Sequence, residues 1–495
     1  MVISKTDYLL YRECRKSTWV KKNKPDIYYK NELTEFEKLI IQTGNEVELI
    51  ARDLFPSGVL ISGRGEASQT LTTEYIKKKQ PVIFQAVFEK NGFLCATDIL
   101  EFDTKTNSYN LYEVKSSNEI DKKVHFYDLA FQLVLLRRCG LSVKKICLIH
   151  LDKEYIRYGA LNKQSLFKFE DVTEEIESLC EEVSEQMDIA LAYLSQSSLP
   201  AGFCDCVYKG RSNHCSCFSF LNPSIPEYSV HDLARIGLSK TKLEELIDGN
   251  YYKPEDVPAH ISFSQIQQNQ IDSYKQDKLI IDKESIRKEL LGLEFPLYFI
   301  DYETFPSAIP RFDKFSPYNQ IPFQYSLYVL DNPNTEPRHV EFLYSGSDDP
   351  SPHFFSSQKE NIGSTGNIIV WHKGFECAKN NELAVRIPES GSFFNSFNER
   401  VFDLEEIFKK QFYVHKDFRG STSIKKVLPV LVPSLSYKNL DIRDGGSAAE
   451  MWNNLTTENL NLEEKEKIIK NLKTYCSLDT YAMYALWKEL YSLTS

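Results

Sequence analysis

Residues 298–305 read YFIDYETF, and two carboxylates, Asp301 and Glu303, interrupt a run that is otherwise apolar and aromatic. The pattern predicts a strand, in which side chains at i and i+2 share one face with their Cα atoms roughly 7 Å apart. Two like charges held side by side repel unless a cation or a shared proton lies between them. Asp-x-Glu at the end of a hydrophobic strand therefore suggests a divalent-metal seat. Such a seat needs further acids from other elements, and the chain offers them. Glu376 follows the apolar run NIIVW, Asp403 lies in RVFDLEEIF, and Asp479 lies in LKTYCSLDTYAMYALWKEL. Tyr475 precedes Asp479 by one turn on the same helical face. A two-metal phosphoryl-transfer site takes three or four converging acids, one ion activating water and the other stabilising the leaving oxygen. A tyrosine hydroxyl near the scissile phosphate can orient the attacking water.

A second set stands in the first half. ATDILEF puts Asp98 on one strand, and LYEVKSS puts Glu113 and Lys115 on the next, at the spacing that points both to one face. Carboxylates on adjacent strands can hold Mg²⁺, an oxygen-preferring ion. The lysine can orient or help deprotonate the attacking water and offset phosphate charge. Gln132, on the predicted helix YDLAFQLVLL, can position the lysine or the water. Glu46, in TGNEVELIARDLFP, is a further candidate ligand from a helix.

A third set is sulfur. AGFCDCVYKGRSNHCSCF carries Cys204, Cys206, Cys215 and Cys217, and Cys14 sits in YRECRKS. Thiolates suit Zn²⁺ or an iron–sulfur cluster, and buried unligated thiols are the plain alternative. The C-x-C spacing is tighter than the usual zinc pattern of C-x₂₋₄-C.

The elements that must position these groups follow from patterning. The chain of 495 residues is too long for one core, so two or three domains are expected. A net charge of −11 argues against a bulk electrostatic nucleic-acid binder, yet leaves room for a nuclease whose ligands are themselves acids. No apolar run is long enough to span a membrane, and the first residues lack a signal-peptide pattern, so a cytoplasmic address is the default. The 11 cysteines then read as free thiols or ligands rather than disulfides. The first 55 residues read as helical. Pro81 to His150 reads strand, strand, strand, helix, strand, with a hairpin at EKNG. Residues 171–196 form an acidic amphipathic helix with a solvated face, and short helices fill 229–290. A second α/β unit starts near Glu294, with strands near 297–302, 323–330 and 338–343, then NIIVW and a run of helices. Two α/β lobes joined by a helical connector result, with bounds 1–222, 223–292 and 293–495. Within the connector, VHDLARIGLSKTKLEELIDG reads either as half of a phosphate-binding helix–hairpin–helix or as a spacer.

The stretches GNEVELIAR, FQAVFEKNGFLCATDILEF, YEVKSS and DLAFQ resemble the PD-(D/E)xK nucleases of the RecB/Cas4-like kind, with their restriction-endonuclease-like core. The resemblance implies Mg²⁺- or Mn²⁺-dependent phosphodiester cleavage, with Asp98 and Glu113 as ligands, Lys115 catalytic and Gln132 as the helix glutamine. Glu46 stands where relatives carry a helix histidine or glutamate. Cas4-like and AddB-like enzymes also clamp a [4Fe–4S] cluster between one N-terminal cysteine and three later ones. That layout implies Cys14, Cys204, Cys206 and Cys215, with Cys217 as the alternative to one of them. In the second lobe IDYETF, WHKGFE and YCSLD resemble the motifs of DEDD 3′–5′ exonucleases of the ribonuclease-H-like fold, in their tyrosine form. Glu376 departs from the usual aspartate of the second motif, and Asp403 resembles a non-ligand aspartate able to take over. Nearly the whole chain resembles the bacterial DUF2779 family, which joins two such lobes.

The reading that follows is a metal-dependent nuclease with two candidate sites, the second exonucleolytic from 3′ to 5′. Nucleic acid is the implied partner, DNA ahead of RNA. The alternative is a nucleic-acid-binding or effector protein in which one lobe is catalytic and the other grips substrate or partner.

Overall fold

The computed structural model describes residues 1–29, 34–438, 440–442 and 444–494. The chain divides into two units. The first comprises Met1–Val207, Ser212–Ser224 and Ser307–Asn319; the second comprises Tyr208–Arg211, Ile225–Pro306 and Gln320–Ser495. Most of the predicted connector falls within the second unit. The predicted hairpin motif within it takes another form. Val230–Asp232 and Ile236–Leu238 are single 3₁₀ turns, with Arg235 left-handed at φ 56°, and Lys240–Asp248 is the one α-helix of that stretch. A helix–hairpin–helix needs two helices flanking its turn.

In the first unit β2 (Val59–Leu60), β3 (Val82–Lys90), β4 (Phe93–Asp103), β5 (Ser108–Lys115), β6 (Val143–Leu151) and β7 (Phe167–Asp171) lie side by side in that order, and β1 (Ile3–Ser4) pairs with the start of β4. β3 to β5 form an antiparallel meander, and β6 returns parallel to β5 after the Lys122–Arg138 helix. Asn91 and Gly92, at φ 53° and 82°, make the two-residue turn whose twist suits a hairpin. Branched and aromatic residues dominate β3, and Val82, Phe84, Ile99, Tyr112 and Ile149 share a core with Val47 and Ala51 of the Glu35–Arg52 helix. The stretch Ser307–Asn319 is tied into this unit by Arg157, whose Nη1 donates to the Pro310 carbonyl at 2.8 Å, and by the Tyr318 hydroxyl on the Ser116 carbonyl.

In the second unit β8 (Ile280–Ile281) pairs with β14 (Tyr413–Val414), apart from the main sheet. That sheet has the order β11 (Arg338–Leu343), β10 (Gln320–Leu330), β9 (Leu297–Pro306), β12 (Ile368–Val370), β13 (Val401–Asp403). β9, β10 and β11 are antiparallel, whereas β12 and β13 run parallel to β9. The two-residue period of β9 assigns its faces. Tyr298, Ile300 and Tyr302 pack with Phe354, Leu383, Phe394 and Phe397. Phe299 instead meets Tyr484 and Trp487 of the Leu462–Thr494 helix. Asp301 and Glu303 share that second face, so the long C-terminal helix lies over them. Among the described residues no helix is long and apolar enough to cross a membrane.

Candidate functional site

Carboxylates gather at one point in each unit, and thiols at a third.

In the first unit, Glu113 at the end of β5 is buried and meets two ammonium groups. Lys115 Nζ lies 2.8 Å and Lys5 Nζ 2.6 Å from Glu113 Oε1. Gln132 Nε2 donates to Glu113 Oε2 at 2.8 Å and to Asp128 Oδ1 at 2.9 Å, Asp128 being one turn earlier on the same helix. Lys115 also pairs with Asp128 Oδ2 at 2.5 Å. Asp98 accepts the Val114 N–H at 2.8 Å and the Gln85 amide at 3.1 Å. Gln85 faces it across the ladder at φ 55°, the one left-handed residue inside a strand among the described residues. Strain of that kind gathers at functional sites. Burial, then the charges of Asp128 and Asp98, pushes the Glu113 carboxyl up to about 6 despite both lysines. Asp128 goes the other way: burial would raise it, and Lys5 and Lys115 together pull it well below the ordinary range.

One correction arises here. Glu46 is exposed and does not join the group. Glu48, two residues on, does: its Oε1 accepts from the Gln85 amide, and its charge bears on Asp98. Asp98, Glu113, Lys115 and Gln132 come together as the spacing suggested. Lys5, Glu48, Gln85 and Asp128 were missed; DLAFQ held the signal for Asp128, one turn before Gln132.

In the second unit the ligand atoms of Asp301, Glu303 and Cys476 lie within 4.8 Å of one another. Asp479 is buried and accepts the Tyr437 hydroxyl at 2.6 Å. Lys425 Nζ lies 3.4 Å from the Tyr475 hydroxyl. Burial and the Asp479 charge hold Asp301 well above the ordinary carboxylate range, and burial with Asp301 and Asp479 does the same to Glu303. Glu376, at the first turn of the Lys373–Arg386 helix, is raised by burial and then by Asp301. Its Oε2 is buried without a hydrogen-bond partner. Burial also raises Asp479, against the Tyr437 hydrogen bond and the Lys425 charge. The Lys425 charge bears on Asp301, Glu303 and Asp479. A buried carboxylate short of countercharge is costly as an anion, so it takes up a proton or a cation.

Asp403, expected as a non-ligand aspartate able to take over, is engaged elsewhere. Its carboxylate is occupied by the N–H groups of His372 at 3.1 Å, Lys373 at 3.0 Å and Glu405 at 3.1 Å. It anchors the left-handed turn at His372, φ 83°, that starts the helix carrying Glu376. Tyr437 and Lys425 were missed, since nothing local in VLPVLVPSLSYKNL marks them.

The sulfur atoms of Cys14, Cys204, Cys206 and Cys215 all lie within 4.8 Å of one another, and Cys217, though buried, stands outside the group. Cys14 caps the Lys5–Glu13 helix. Asn222 Nδ2 donates to Cys204 Sγ at 3.2 Å, and Arg15 forks onto Asp205 between the two cysteines at 2.7 and 3.2 Å. Cys14 Sγ and Cys215 Sγ are 3.8 Å apart. A tetrahedron with zinc–sulfur bonds of about 2.3 Å has edges of about 3.8 Å. The donor set of four thiols could hold a metal.

Residues 298–423 match DUF2779, a domain of unknown function. The DUF2779 segment thus holds β9 to β13, with Asp301, Glu303, Glu376 and Asp403, while Tyr475 and Asp479 lie beyond it. Among curated proteins the chain is similar to uncharacterized protein MG366 of Mycoplasma genitalium, 28% identical over 206 residues, covering 38% of this chain and 31% of the relative. The MG366 homolog of Mycoplasma pneumoniae is 28% identical over 211 residues, 39% of this chain and 32% of the relative. Uncharacterized protein UU173 of Ureaplasma parvum serovar 3 is 25% identical over 213 residues, 38% and 30%. The chain spans about a third of the length of the curated relatives it matches.

Proposed function

We propose that this protein is a metal-dependent nuclease, with a PD-(D/E)xK-like site in its first unit and a DEDD-like site of ribonuclease-H-like topology in its second. The observation that carries the reading is the meeting of Asp301 and Glu303 in one buried group, with the charge of Asp479 bearing on both and that of Asp301 on Glu376. A divalent ion of the Mg²⁺ or Mn²⁺ kind would supply Lewis acidity and a water-derived nucleophile there. Asp301, Glu303 and Asp479 would hold it, with Glu376 the nearby acid able to reach in. Tyr437 keeps the Asp479 carboxylate oriented, and the Tyr475 hydroxyl, beside Lys425, would orient water at a phosphate.

In the first unit Asp98 and Glu113 would hold metal. Lys115 offsets phosphate charge, and Gln132 fixes both Glu113 and Asp128. The four thiols would hold a [4Fe–4S] cluster or a single Zn²⁺, stapling the first helix to the segment 204–215. The 3.8 Å separation of Cys14 and Cys215 favours zinc, and metal analysis with visible spectra of anaerobic protein decides between them. Nucleic acid is the substrate, DNA ahead of RNA, and a cytoplasmic setting suits free thiols.

One observation favours the narrower reading, in which only the second site is catalytic and the first grips. Lys5 and Lys115 already neutralise Glu113 and Asp128, whereas the second group lacks such a balance. The test is Mg²⁺- or Mn²⁺-dependent cleavage of end-labelled single- and double-stranded DNA and RNA by wild type, Asp301→Ala and Lys115→Ala. Loss in Asp301→Ala alone selects the narrower reading, and loss of distinct products in each variant selects two sites. Cleavage unchanged in both would sink the proposal.

A further inference from the structure

Cys476 is buried on the Leu462–Thr494 helix, one residue after Tyr475 and three before Asp479. A buried cysteine is often only a small hydrophobe. This one is placed differently: its sulfur lies within 4.8 Å of carboxylate oxygens of both Asp301 and Glu303. Its sulfur donates a long 3.8 Å hydrogen bond to the Asp301 carbonyl oxygen. A buried carboxylate without a full set of partners is coupled to the same acids. Glu376, 2% exposed, keeps Oε2 without a hydrogen-bond partner, and its carboxylate feels the charge of Asp301.

Oxygen donors alone suit Mg²⁺ and Mn²⁺, whereas a thiolate turns preference toward zinc. We propose that Asp301, Glu303 and Cys476 form a mixed oxygen–sulfur seat for a thiophilic divalent cation of the zinc class. The seat rests on the reading of Asp301 and Glu303 as metal ligands, and on nothing about hydrolysis. Binding replaces the S–H bond by a sulfur–metal bond and releases the thiol proton to solvent. Zinc held in this way excludes Mg²⁺ or Mn²⁺ from the same carboxylates, so the site's state follows which metal is available.

The experiment uses the full chain with its four-thiol centre loaded as purified, and Co²⁺ as the probe. Wild type is expected to develop near-ultraviolet thiolate-to-cobalt absorption that Cys476→Ser and Asp301→Asn each lose and Cys14→Ser retains. Zn²⁺ competition should show affinity falling about tenfold or more in Cys476→Ser, with Mn²⁺ affinity changing by less than about threefold. Should Cys476→Ser not fold, Cys476→Ala and Asp301→Asn carry the same comparison. Equal absorption with and without Cys476, or its loss in Cys14→Ser, overturns the seat. Absorption that depends on Cys476 in a protein that cuts no substrate leaves the seat standing and removes the nuclease reading. Cleavage that needs Asp301, beside absorption indifferent to Cys476, does the reverse.

Discussion

Lys5 and Glu113 lie 108 positions apart in the chain and meet at 2.6 Å, at the oxygen that Lys115 also holds. The contact arises because β1 pairs with the start of β4 and delivers the first turn of the Lys5–Glu13 helix to the end of β5. Any cation seated at Glu113 Oε1 must displace an ammonium group. Lys5→Met is therefore expected to lower stability by about 1–3 kcal/mol, because Glu113 and Asp128 lose a countercharge. In the same variant Mn²⁺ should raise the melting temperature more than it does in wild type. Equal Mn²⁺ shifts in the two proteins would count against competition at this oxygen.

The same helix carries a pH-dependent element away from the carboxylate group. Asp7 closes the capping box with Ser4 and pairs with Lys21 at 2.8 Å and Lys22 at 3.0 Å. Burial raises its carboxyl, but these partners outweigh it and hold it down at about 2, from 3.8. A carboxyl depressed on folding stabilises above its unfolded value and loses that contribution as pH falls through its folded one. Asp7→Asn should thus cost about 1 kcal/mol at neutral pH, allowing for solvent screening, with the difference closing between pH 4 and 2. Urea melts across that range test it, and a difference that persists at pH 2 would assign the effect elsewhere.

Tyr437 orients Asp479 through a single 2.6 Å hydrogen bond. Tyr437→Phe keeps the ring and removes the donor. The Asp301-dependent cleavage is expected to drop about tenfold, in line with about 1.4 kcal/mol for a hydrogen bond to a carboxylate. The Lys115-dependent products should not change. Rates on end-labelled substrate with each product resolved provide the check.

Cys14 and Cys217 are both buried, yet only Cys14 joins Cys204, Cys206 and Cys215. Cys14→Ser should reduce metal at the thiol centre to about a tenth or less, and Cys217→Ser should retain it. Elemental analysis of both variants, with iron and zinc measured separately, reads the outcome. Retention in Cys14→Ser would remove this residue from the ligand set.

Strand and helix periodicity is local, so the sequence by itself determined a large part of each group. It located Asp301 with Glu303, Glu113 with Lys115, and Tyr475 with Asp479, because i+2 on a strand and i+4 on a helix share a face wherever the element packs. It also supplied the five thiols, with Cys217 the alternative by family resemblance, and the sulfur grouping leaves Cys217 outside. Tertiary structure decided the rest. Glu46 and Glu48 are separated by about 200° around their helix. Only the burial of Val47 and Ala51 against the sheet chooses which of them turns toward Asp98. Asp403 went to backbone N–H groups because β13 lies beside β12, a pairing that brings it to His372 and Lys373. Lys5, Tyr437, Lys425 and Cys476 reach their carboxylates across elements far apart in sequence. No spacing rule encodes such meetings, because long-range packing sets the distances.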